Sequence, residues 1–201
     1  VSRIIAGRAG GRRLRTPSGR TTRPTTDRVR EAVFSALAAW NGTADADPAE
    51  HLAGQSVADV FAGSGAIGLE AASRGAGPVV CIEKDARAAS VIRGNAAHLA
   101  LAVEVATSSA ASWLATTGRR FDVMWFDPPY DLADEDLDEL IDAAARVLVD
   151  NGLLVVERSA RSRAPHLPEG METWSASYGE TTIHYAQWDR PTGDVAKEDD
   201  R

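Results

Sequence analysis

The chain has 201 residues, 44% hydrophobic and 25% charged, enough to bury one substantial core with at most a small appendage. No apolar run approaches the ~20 residues of a membrane helix, and no apolar signal core follows the amino-terminal arginines, so a cytoplasmic protein with no membrane partner is expected. Cys81 is the single cysteine, which excludes a disulfide framework or a thiolate metal site, and its setting in "VVCIE" reads as core.

Net charge is −7, which alone argues against a nucleic-acid partner, but its distribution is uneven. Residues 1–30 carry nine arginines and one aspartate, an excess of eight positive charges that leaves the other 171 residues at −15. A basic segment on an acidic body is the footprint of polyanion binding. Arg3, Arg8, Arg12, Arg13, Arg15, Arg23, Arg28 and Arg30 are the candidate phosphate contacts, the plainer alternative being an arm that is merely solvated.

In chain order, "SRIIAGRAGGRRLRTPSG" predicts two short strands around a Gly-Gly turn, a basic β-hairpin extension over residues 1–24. "RPTTDRVREAVFSALAAW" predicts a helix, with threonine N-cap candidates, Asp27 in the first turn, and Val29, Val33, Phe34, Leu37 and Trp40 at helical spacing. Residues 41–55 read as a loop. An alternation follows: strand 56–61, helix 66–74, strand 79–83, helix 86–98, strand 103–107, helix 109–116, strand 122–126, helix 134–149 and strand 153–157.

Strands apolar on both faces, joined by short connections through helices, predict an α/β fold: a doubly wound, Rossmann-like, mostly parallel sheet. Residues 172–188 read as an antiparallel hairpin closing it, turning at Tyr178 and Gly179. The main domain is expected over residues 25–190, and residues 191–201 as a disordered acidic tail.

"DVFAGSGAIG" sets Gly63, Gly65 and Gly68 in GxGxxG spacing between a strand and a helix, and Glu83 lies twenty residues past Gly63. That spacing resembles a dinucleotide fingerprint, with Glu83 placed to accept from ribose hydroxyls. Asp59, ending the first strand, would repel a pyrophosphate but suits a cation. S-adenosyl-L-methionine carries an ammonium and a sulfonium, has no phosphate, and keeps the ribose and adenine. It therefore fits better than a nicotinamide cofactor. Ser109 and Ala110 occupy the turn where adenine would lie, although Ser108 or Ser109 also suits a helix N-cap.

"FDVMWFDPPYD" ends a buried strand on Asp127, Pro128, Pro129 and Tyr130, facing the same crevice. An exocyclic amine of a nucleobase is a poor nucleophile because its lone pair is delocalised. Asp127 and the Pro128 carbonyl supply acceptors for its N–H bonds, the prolines remove competing donors, and Tyr130 offers a π face to an unstacked base. The plainer alternative is a strand-terminating Asp-Pro turn. The four histidines lack ligand spacing, and no metal site is expected.

With "DPPY" and "DVFAGSGAIGLEAASRG" together, the chain resembles class I S-adenosylmethionine-dependent amino-methyltransferases. "RIIAGRAGGRRL" and "RPTTDRVREAVFSAL" resemble more specifically the RsmD family, which methylates N2 of a guanine in bacterial small-subunit ribosomal RNA. The likeness runs from about residue 3 to 188. It implies S-adenosyl-L-methionine as cofactor and ribosomal RNA, in an assembling or assembled small subunit, as partner of a monomer.

The implied cofactor residues are Asp59, Phe61, Ala62, Gly63, Ser64, Gly65, Glu83, Lys84, Ser109 and Ala110, with Thr26 beside the methionine end. Asp127, Pro128, Pro129 and Tyr130 form the implied transfer site. A DNA amino-methyltransferase shares the glycine loop and "DPPY", and a nicotinamide-dependent oxidoreductase or a non-catalytic RNA-binding protein are the remaining alternatives.

Overall fold

The structure, a computed structural model, describes residues 2–17 and 26–188. After the amino-terminal arm the elements run α1 (Asp27–Trp40), β1 (Val57–Asp59), α2 (Ala66–Ser73), β2 (Val79–Glu83), α3 (Ala86–Leu99), β3 (Glu104–Thr107) and α4 (Ala110–Thr116). They continue with β4 (Phe121–Phe126), α5 (Asp134–Ala145), β5 (Leu148–Ser159), β6 (Met171–Tyr178) and β7 (Thr181–Trp188).

One seven-stranded sheet forms in the order β3-β2-β1-β4-β5-β7-β6, with β7 and β6 antiparallel as the hairpin pattern predicts. The connections leave β1 toward β2 on one side while β4 pairs on the other, so the strand order reverses at β1 and β4. A crevice opens at the carboxyl ends of strands at such a reversal, and this places the site.

Because side chains alternate across a strand, the apolar runs feed two cores. Val57, Val123, Trp125, Leu153 and Val155 pack with α1, α2 and the arm on one face. Ala58, Met124, Phe126, Leu154 and Val156 pack with α4 and α5 on the other.

The boundary between the fifth helix and the fifth strand differs from the expected one. Helix α5 stops at Ala145 instead of running to 149, and β5 starts at Leu148, paired with Phe121. Val147, Leu148 and Val149 continue an apolar period that a helix and a buried strand share, but the chain turns at Val147, and Leu148 and Val149 join β5, with Leu148 set beside Phe121 of β4. Asn151 takes φ 62° and Gly152 follows, kinking β5 where the register shifts against β4.

The expected amino-terminal strands reduce to a single antiparallel bridge, Arg3 with Arg13. Ile4 and Leu14 N–H still donate across the arm, to the Arg12 and Ser2 carbonyls at 2.9 Å each, but the donors that would extend the ladder go to α2: Ile5 and Ala6 N–H donate to the Glu70 carboxylate at 2.6 and 3.0 Å, and Ala9 N–H to Ser73 Oγ at 2.9 Å. Ile4, Ala9 and Leu14 are buried in the first core, so this arm packs as part of the domain. Gly7, at φ 79°, lies against the Ser73 backbone with no room for a Cβ.

Candidate active site

The glycine loop is shaped by three separate demands. Gly65 has φ 79° and begins α2, where an added Cβ would lie 2.9 Å from Ile92. Gly68 lets α2 approach β2, because a Cβ there would overlap the Cys81 sulfur. Gly63, at φ 54°, donates its N–H to Glu83 Oε2 at 2.8 Å, while Glu83 Oε1 accepts from Asp85 N–H at 2.8 Å. Glu83 thus ties the loop to the end of β2, and a carboxylate retains further lone-pair directions after two such bonds.

Asp59 is 1% exposed and accepts from Gly68 N–H at 3.0 Å. Desolvation raises its carboxyl pKa to about 7; the Gly68 bond opposes that shift and the charge of Glu83 adds to it. A buried acid in this state is stabilised by a nearby cation and destabilised by an anion, so the donor set fits the positive end of S-adenosyl-L-methionine better than a pyrophosphate.

A cleft of about 710 Å³ runs across the reversal point. Asp59, Phe61, Ala62, Gly63, Ser64, Glu83, Lys84, Ala110 and Thr26 all line it, which brings together most of the expected cofactor residues. Thr26 caps α1, its Oγ1 accepting from Val29 N–H at 3.3 Å. Gly65 is set back at the start of α2. The Ser109 hydroxyl caps α4, accepting from Ser112 N–H at 3.1 Å, and Ser108 lines the cleft at that turn.

Asp127, Pro128, Pro129 and Tyr130 line the other half, and Tyr130 is 75% exposed. Asp127 touches solvent through the cleft mouth, yet protein crowds it from behind. That desolvation, and then the charges of Glu157 and Asp59, raise its pKa well above the usual carboxylate range. Glu157, two residues before the end of β5, lines the same cleft and was not among the expected site residues. The signal was present: "LLVVE", like "DVMWFD", is an apolar core run that reaches a carboxylate.

The basic residues divide by environment. Arg28 and Arg13 are exposed, Arg15 is exposed with its backbone held by Asn95, and Arg8 donates to the Ala72 carbonyl at 3.1 Å. Arg12 donates to the His98 and Leu99 carbonyls at 2.5 and 3.4 Å, satisfying the carboxyl end of α3. Arg3 pairs with Asp27 at 2.9 Å.

Arg30 as a surface phosphate contact is corrected. It is 1% exposed, and its Nη2 donates to the Arg3 carbonyl at 2.7 Å and to Asp27 at 2.8 Å, because it sits on the buried face of α1. Arg23 lies outside the described residues. The acidic start of α5 pairs with the arginines after β5, Asp134 with Arg158 at 2.8 Å and Asp138 with Arg163 at 2.6 Å.

The family model described as "Conserved hypothetical protein 95" matches residues 2–187. "Ribosomal RNA small subunit methyltransferase D" of Escherichia coli (strain K12) is 37% identical over 169 residues, covering 83% of this chain and 79% of that protein. The solved structure of the Escherichia coli protein yhhF superposes with a TM-score of 0.79 at 30% identity, over 94% of this chain and 99% of that one. A Thermus thermophilus 16S rRNA N2 G1207 methyltransferase (RsmC), in complex with AdoMet and guanosine, shares the fold, with a TM-score of 0.62 at 20% identity over 84% of this chain and 45% of that one. The match over nearly its whole length, in agreement with its motifs, means that the chain belongs to the Conserved hypothetical protein 95 family, the RsmD family.

Proposed function

We propose that this protein transfers a methyl group from S-adenosyl-L-methionine to the exocyclic N2 amine of a guanine in small-subunit ribosomal RNA. The observation that carries the reading is that Asp127, Pro128, Pro129 and Tyr130 open into the same cleft as Asp59, the glycine loop and Glu83. The likeness to ribosomal RNA small subunit methyltransferase D supports the substrate class.

Bound in this cleft, S-adenosyl-L-methionine supplies a methyl group on a sulfonium. Glu83 accepts from the ribose hydroxyls, Asp59 and its neighbouring carboxylates balance the positive charge, and the glycine-loop backbone allows close approach. Asp127, once ionised, and the Pro128 carbonyl accept from the amine N–H bonds, returning lone-pair density to nitrogen. Tyr130 stacks on the unstacked base. The rest is positioning, since the carbon attacked is already activated.

The basic segment of residues 1–24, whose described part packs against the methyltransferase domain of residues 25–190, holds RNA through phosphates and leaves selection of the base to the cleft. A monomer acting in the cytoplasm on a partly or fully assembled small subunit completes the reading. The RNA shape in such a particle supplies recognition that a 201-residue chain does not carry alone.

The test is transfer of labelled methyl from S-adenosyl-L-methionine to unmethylated small subunits, protein-free ribosomal RNA and duplex DNA, with Asp127→Ala as control. Label on guanine N2 in subunits or RNA, lost in the variant, is the expected result. Label on DNA alone overturns the substrate, and no label on any of the three overturns the enzymatic reading.

A further inference from the structure

An exocyclic amine does not by itself identify guanine. Adenine carries one too, and an acceptor pair formed by Asp127 and the Pro128 carbonyl serves either base. The two bases differ one atom away, at ring nitrogen N1, which carries a hydrogen in guanine and a lone pair in adenine.

The structure holds a second carboxylate at that side of the site. The β4–β5 register pairs Trp125 with Val155 and Phe126 with Val156, so the next step along both strands sets Asp127 beside Glu157. Trp125 and Val155 enter the same core. Two-residue alternation therefore carries Asp127 and Glu157 to that same face, and both line the cleft. β5 lies on the side of β4 away from β1 and the glycine loop, so Glu157 flanks the place of the acceptor base and not that of the cofactor. It is 9% exposed, which holds its head group in a defined position, and its charge is felt by Asp127.

We propose that Glu157 is a specificity-determining residue, accepting a hydrogen bond from N1–H of the acceptor base and so selecting guanine. This rests on the methyltransferase reading above. With guanine, one strand-end carboxylate receives the amine and its neighbour receives N1–H. With a base whose N1 is a lone pair, Glu157 is left facing an acceptor in a desolvated site, a loss larger than the absence of a contact.

The probe is 2-aminopurine, which has the same N2 amine as guanine but a lone pair at N1 and no C6 oxygen, so the Glu157 variant decides whether the N1 difference is the one read. Wild-type transfer first maps the methylated guanine in small-subunit RNA, and that RNA is then rebuilt with 2-aminopurine at the mapped position. Wild-type protein is expected to favour guanine about 10- to 100-fold in kcat/KM, the range of a charge-assisted hydrogen bond. In Glu157→Gln the amide presents one donor and one acceptor, and the preference is expected to fall toward unity or to invert.

An unchanged preference in a Glu157→Gln variant that keeps its cofactor affinity and Tm overturns the proposal. Equal use of both bases by wild-type protein overturns it as well, without any variant having to fold. A wild-type protein that methylates no guanine at all is a different result: it removes the methyltransferase reading and the proposal with it.

Discussion

Asn95 and Arg15 exchange a pair of hydrogen bonds, Arg15 N–H to Asn95 Oδ1 at 3.0 Å and Asn95 Nδ2 to the Arg15 carbonyl at 2.9 Å. The same Asn95 amide reaches the Ser64 carbonyl at 3.3 Å, so one buried side chain on α3 holds both the basic arm and the glycine loop.

Asn95→Leu keeps the branched shape and removes the partners, leaving the Arg15 backbone groups unpaired at a partly buried position. A loss of about 1–3 kcal/mol is expected in urea unfolding. Faster hydrogen exchange at the Arg15 amide and weaker RNA binding should accompany it. Unaltered exchange at Arg15 would show that the arm's other contacts, among them those to Glu70 and Ser73, hold it without Asn95.

Asp59 links cofactor binding to pH. Its folded pKa, about 7, lies above its ordinary value of 3.8, so between these limits the folded state binds the proton more tightly. The stability it contributes is present at low pH and is lost as pH rises through the folded value, by up to about 4 kcal/mol. Asp59→Asn, which keeps an acceptor for Gly68 N–H, is expected to raise the Tm of the free protein at alkaline pH and to weaken S-adenosyl-L-methionine binding. For the wild type, calorimetry should show affinity increasing from acid to neutral pH with release of a proton.

An ionised Asp127 is a stronger acceptor for the amine than its neutral acid, so its raised pKa places the acid limb of the rate profile above the usual carboxylate range. Asp127→Ala is expected to lower single-turnover transfer by more than about 1,000-fold, because an acceptor aimed at developing charge is lost. RNA affinity should stay nearly constant. Asp127→Asn retains one carbonyl acceptor, so it should lose less and show a flatter acid limb.

Arg13 and Arg28 are exposed, whereas Arg30 is buried and bonded to Arg3 and Asp27. Arg13→Ala and Arg28→Ala should each weaken RNA binding uniformly across sequences and reduce the slope of log affinity against log salt by about 1. Arg30→Ala should instead destabilise the protein, since removing it strands the Arg3 carbonyl and opens space under α1. A thermal melt beside a salt titration separates the two effects.

The alternation of buried strands and amphipathic helices, the spacing of Gly63, Gly65, Gly68 and Glu83, and the carboxylate-proline ending at Asp127 are local in the chain, and local patterns are legible in sequence. Periodicity placed α1, α3 and the closing hairpin to within a residue or two of where they end, and the threonine cap candidates before Asp27 placed the start of α1, where Thr26 is the N-cap. It misplaced the boundary of α5 and β5, because Val147 to Val149 suit either element until β4 supplies a partner.

The arm's arginines are indistinguishable as letters. Packing makes Arg30 an internal donor, Arg12 a cap for α3 and Arg13 an exposed cation. Glu157 is thirty residues from Asp127 in the chain and becomes its neighbour only through the β4–β5 register. A carboxylate's identity is written in the sequence, but its neighbours are decided by the sheet that gathers Asp59, Asp127 and Glu157 into one cleft, and those neighbours raise the proton affinity of Asp59 and Asp127.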